Sequence, residues 1–96
     1  MLQELMILTE DRPVLEPLVR SALEHEKRMV HLGMARTKQR LAEFEQVHGM
    51  SSDELERQLT LLELAETPEF SEWRMEIGML RLLERQYAAL KNARVH

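Results

Sequence analysis

Ninety-six residues, 44% of them apolar and 31% charged, make one globular domain at most and exclude a disordered chain. The net charge is −4, and with no cysteine the chain has no disulfide framework, no thiolate zinc site and no cysteine nucleophile, which accords with a cytoplasmic location. No run of 18 apolar residues occurs, so no membrane span is expected, and the opening MLQELMILTED has an early acid and no basic leader, unlike a signal peptide.

The first element is the least defined. Leu2 to Leu8 is a short apolar run closed by the turn-like Thr9-Glu10-Asp11-Arg12-Pro13. Residues 1–13 are expected to form a flexible or short extended segment that orders on a partner, with one helical domain over 14–96. Pro13 or Pro17 marks the start of the first long helix, because proline fits a first turn and not an interior; Pro17 favours the later start. From Leu18 to Val47 apolar residues recur at spacings of three, four and seven, the periodicity of an amphipathic helix. Val30, Thr37 and Phe44 form one sevenfold row, and Met34, Leu41 and His48 form its neighbour. Gly49 stands where a left-handed cap belongs.

Ser51-Ser52-Asp53-Glu54 reads as a capping box that opens a short second helix, with Leu55, Leu59 and Leu62 on one face and an end near Glu66. Thr67-Pro68 repeats the start signal, a side-chain cap followed by proline at the first helical position. A second long helix, Glu69 to Arg94, then carries Phe70, Trp73, Ile77, Leu80, Tyr87 and Leu90 on one stripe. Met75, Met79, Leu82, Ala89 and Ala93 make a second stripe, so burial on two sides is expected. Gly33 and Gly78 lie inside helices, where glycine costs roughly 1 kcal/mol relative to alanine. Each marks either a close helix contact or tolerated slack.

Charge is segregated along the chain. Residues 20–40 carry six basic and two acidic groups, +4, whereas residues 41–76 carry ten acidic and two basic groups, −8. Residues 77–96, with four basic groups and one acidic, return to +3. If the long helices run back along one another, the hairpin has a basic open end and an acidic turn end. Such poles either solvate the surface or meet a charged partner.

Chemistry is sparse. Glu45-Gln46-Val47-His48 is an E-x-x-H, but no second copy is present to complete a di-iron bundle, and a histidine at a helix C-terminus is explained by the helix dipole. No serine lies in a nucleophile motif and no glycine-rich phosphate loop occurs, so neither enzymatic activity nor a metal or cofactor is expected. Arg20, Lys27, Arg28, Arg81 and Arg85 form a candidate charged partner surface, though with no aromatic interleaved for nucleic-acid binding.

The stretch LAEFEQVHGMSSDEL from Leu41 to Leu55, followed by Phe70-Ser71-Glu72-Trp73, resembles small prokaryotic all-helical proteins that include the antitoxin halves of toxin–antitoxin gene pairs. The likeness spans about Leu32 to Leu83, and His48 and Leu55 depart from its tyrosine and phenylalanine. It implies that Phe44, Gly49, Ser51, Phe70 and Trp73 are anchors of the fold, and that the partner is a small toxin. No N-terminal DNA-binding unit is recognisable.

The expected architecture is all-α: an antiparallel hairpin of two long helices with a short connecting helix, dimerising into a four-helix-type bundle. Met29, Val30, Met34, Leu41, Phe44, Phe70, Trp73, Ile77, Leu80 and Tyr87 are the candidate core and interface residues. The expected role is protein–protein interaction, as an antitoxin-like neutralising partner or else as a self-assembling scaffold. A nucleic-acid-binding helical dimer is a third class, recognisable by salt-dependent retention on duplex DNA or RNA.

Overall fold

Three helices follow one another along the chain: α1 (Arg12–His48), α2 (Ser52–Thr60) and α3 (Pro68–Asn92). The computed structural model describes residues 3–5 and 8–95. Along α1 and α3 one residue number falls as the other rises, since His48 meets Glu69, Gly33 meets Leu83 and His31 meets Tyr87. The two long helices are thus antiparallel. Of the two helical glycines, Gly33 lies against Leu83, whereas Gly78 has open space where a Cβ would stand. Beyond the helices, β1 (Gln3–Leu5) pairs in parallel with β2 (Ala93–Val95), in the register Gln3 to Ala93. Part of the N-terminal segment thus meets the chain's own C-terminal end; residues 1, 2, 6 and 7 lie outside the described residues.

The start of α1 corrects the expectation drawn from Pro17. The helix begins at Arg12 and runs through Pro17. Pro17 has no N–H for the carbonyl of Pro13, but both prolines are exposed, so water can take that carbonyl. Glu16 braces the turn between Arg12 (3.1 Å) and Arg20 (2.8 Å). Hydrogen bonds from Arg20 and then Arg12 hold its carboxyl below the usual range. At the far end Gly49 adopts φ 62°, the left-handed cap expected of it.

The second helix is capped by more than its own box. Ser51 Oγ accepts from the Glu54 amide at 3.1 Å, but Glu54 does not reach back. Its carboxylate holds Arg57 and Gln58, which lower its pKa to about 2. Glu45 of α1 accepts instead from the Ser52 amide at 2.7 Å. α2 ends at Thr60, short of Glu66, because Leu62 turns to φ 59°. The Glu63 amide then donates back to the Gln58 carbonyl at 2.8 Å, closing the helix with a leucine where glycine is usual. α3 begins as expected, with Thr67 Oγ1 accepting from the Phe70 amide at 3.1 Å. It ends at Asn92, two residues before the expected Arg94, where Ala93 becomes extended.

The core sits at the turn end of the hairpin. Leu41 of α1, Leu55 of α2 and Trp73 and Ile77 of α3 are buried together, with Phe44, Met50, Leu59, Leu64, Phe70 and Leu80 packed round them. Trp73 has no exposed surface. Its ring stacks on Phe44 at 5.6 Å and on His48 at 5.4 Å, and its indole N–H donates to Ser52 Oγ at 2.9 Å. One side chain therefore touches all three helices. Further along, α1 meets α3 through Leu23, Lys27, Val30, Met34, Thr37, Leu41, Phe44 and His48, all buried or half-buried. Their alternating spacing of four and three is that of a coiled-coil seam.

Two outcomes check this packing. Trp73→Ala should cost roughly 3–5 kcal/mol in denaturant unfolding, and Ser52→Ala, which orphans the indole N–H, about 1–3 kcal/mol. Leu62→Gly should raise stability by about 1 kcal/mol, because the left-handed conformation costs a branched residue that much or more. A fall in the melting temperature of Leu62→Gly would show that the leucine side chain outweighs its strain.

Candidate interaction surface

The seam uses one side of each long helix, and α2 lies against the groove between them. What is left over is not polar. On α3, Met75 and Met79 remain 74% and 46% exposed, and Leu82 is exposed beside them. At 100° per residue these three fall within about 60° of arc, roughly 150° round the helix from the seam. Gln86 and Ala89 continue the same spacing of four and three. The second stripe expected to be buried is thus exposed along most of its length. The reason is size: Trp73, Phe70 and Ile77 take the side facing α1 and α2, so the methionines take the other.

α1 has a tract of its own. Val14, Leu18, Met29 and Leu32 are all exposed and also fall within about 60° of arc. Leu32 borders a shallow hollow of about 410 Å³ that Lys27, Arg28, His31 and Tyr87 complete. Tyr87 stands on the opposite helix with its ring 5.8 Å from that of His31. Because α1 is about 18 Å longer than α3 by residue count, its first turns pass beyond α3 with Val14 and Leu18 uncovered.

The shape agrees. The chain measures 59 × 22 × 20 Å with a radius of gyration of 18.7 Å, against about 12.5 Å for a compact domain of this length. It exposes 7306 Å², about 1,500 Å² more than a compact monomer of 11.4 kDa.

The structure sorts the expected core and interface residues into two groups. Val30, Leu41, Trp73 and Ile77 are buried, and Met34, Phe44, Phe70, Leu80 and Tyr87 are half-buried. Met29 is exposed and belongs to the α1 tract. Three of the five basic residues make ion pairs. Arg20 is held by Glu16, Lys27 by Glu24 at 3.1 Å, and Arg81 by both oxygens of Glu56 at 2.6 and 3.0 Å. That last pair fastens α2 to α3 and holds Arg81 more firmly protonated. Arg28 borders the hollow and Arg85 adjoins Leu82, and neither makes an ion pair among the described residues. His48 donates its Nε2–H to Glu69 Oε1 at 2.9 Å, and Glu45 of the E-x-x-H accepts from the Ser52 amide. Among the described residues no three histidine or acidic side chains converge on a metal position. No helix among them is long and apolar enough to cross a membrane.

No protein-family model matches the chain, and searches of curated proteins and of solved structures return no match.

If these tracts are surface and not core, charge there is harmless to the fold. Met79→Asp should leave unfolding of the dilute chain within about 0.5 kcal/mol of the parent, whereas Ile77→Asp, two residues away, should abolish the transition. Equal damage from both would place Met79 in the core.

Proposed function

We propose that the chain is a cytoplasmic protein–protein interaction module. One observation carries it: the open half of α1 presents Leu18, Met29 and Leu32 in line, next to a hollow floored by Tyr87 and edged by Arg28, which makes no ion pair among the described residues. Large apolar side chains aligned on one face and rimmed by charge mark binding surfaces on soluble proteins. Aromatic and arginine anchors of this kind dominate the energy of protein interfaces. The module works by covering a partner and leaves chemistry to that partner.

The resemblance of Leu41–Leu55 and Phe70–Trp73 to antitoxin-like proteins gives this reading its specific form, in which the α1 tract neutralises a small toxin by covering it. Self-assembly without a toxin is the alternative form, and the exposed α3 stripe favours it as a second property of the same molecule.

Co-expression with the product of the adjacent gene tests the specific form. The two proteins should purify as a stoichiometric complex, growth arrest by that product should be relieved, and Leu32→Asp should remove both effects. No complex and no relief would contradict it.

A further inference from the structure

The stripe on α3 faces away from the hollow and has a different occupant. We infer that it is the interface with a second copy of this chain, the two α3 helices lying antiparallel across a two-fold axis between Met79 and Leu82. The inference deepens the interaction-module reading by naming the partner of this face.

Spacing supports it first. Met75, Met79, Leu82, Gln86 and Ala89 alternate by four and three, the pattern a helix uses against one other helix. Antiparallel pairing about that axis sets Met79 against the copy's Leu82, twice, at the centre. Met75 then meets Gln86, and Glu72 meets Ala89. Parallel pairing would instead align the acidic starts of the two helices, Glu69, Glu72 and Glu76, with one another.

Charge supports it second. Glu72 continues the stripe at its start and Arg85 lies beside it towards the other end, and neither makes an ion pair among the described residues. Along the axis, the antiparallel arrangement sets Glu72 of each copy about one helical turn from Arg85 of the other, an acid in line with the basic half of the twin. More broadly, it lays the acidic half of each α3 along the basic half of its twin.

Area supports it third. A stable pair buries about 800 Å² per partner, and this chain exposes about 1,500 Å² more than a compact monomer of its mass. Gly78 adds to this. It lies beside the stripe with nothing near its Cβ position, so its helix cost is not offset within the chain, but it allows a second backbone to approach.

Light scattering across a concentration series tests the inference with the full chain and three variants. The parent should have twice the chain mass, changing little between low and high salt because Met79 and Leu82 at the centre of the seam are apolar. Met79→Asp should weaken the dimer more than 100-fold while keeping the parent's helical circular dichroism. Glu72→Arg or Arg85→Glu alone should weaken it about fivefold or more, and the two together should restore it. A monomeric parent would overturn the inference, as would a dimer that survives Met79→Asp or a charge exchange that fails to rescue. None of these outcomes touches partner capture by the α1 tract, which Leu32→Asp judges separately.

Discussion

The burial of Trp73 is the constraint on which the rest of the structure depends. Its ring needs faces to stack on and its N–H needs an acceptor, and the chain supplies these from the two other helices: Phe44 and His48 from α1, and Ser52 from α2. A buried indole without its acceptor costs about as much as the net gain from one or two good hydrogen bonds, so the position of Ser52 is not free. Glu45 fixes it by accepting the Ser52 amide, which couples the last turn of α1 to the first turn of α2. Gly49 makes the reversal between them possible. The turn end of the hairpin is thus one cooperative knot of aromatic packing and caps.

Away from the knot the geometry is that of two helices sharing one seam. A hairpin has two long sides and a single short helix to cover them. α2, nine residues long, reaches only the turn half of one groove. The open half of α1 and the outer side of α3 are left to water in the single chain, yet both are built from methionine and leucine. Unbranched methionine adapts to varied surroundings at little cost, which suits a side chain left open to solvent. The charge pattern divides along the same lines: paired groups such as Glu56–Arg81 hold the fold, and Glu72, Arg28 and Arg85 are left at the edges of the apolar tracts.

Local chemistry was legible in the sequence. Gly49, Ser51 and Thr67-Pro68 mark helix ends by rules that involve neighbours three or four residues away, and the structure places ends there. The sevenfold rows Val30–Thr37–Phe44 and Met34–Leu41–His48 identified the seam for the same reason. What could not be read depends on contacts distant in sequence. Glu45 as the acceptor for Ser52, and Glu69 as the partner of His48, require the hairpin to exist first. Leu62 in a left-handed conformation has no marker, since nothing about a leucine predicts it. Pro17 does not mark the helix start because it sits near an exposed end of α1, where water can take the carbonyl of Pro13 that its missing N–H leaves open. Two apolar stripes on α3 were visible, but hydrophobicity alone does not say which faces inward; the size of Trp73 decides that.

Disulfide trapping decides whether the outer stripe of α3 meets its own copy in antiparallel register. The chain has no cysteine, so Met79→Cys and Leu82→Cys each introduce a single thiol. A mixture of the two variants, oxidised in native buffer, should form the 79–82 cross-link in preference to either symmetric one, because in the antiparallel pair only those positions bring Cα atoms within about 7 Å across the two-fold axis. Preference for 79–79 and 82–82 cross-links would mean parallel helices, and no cross-link beyond that seen in denaturant would mean that this face does not meet a second copy.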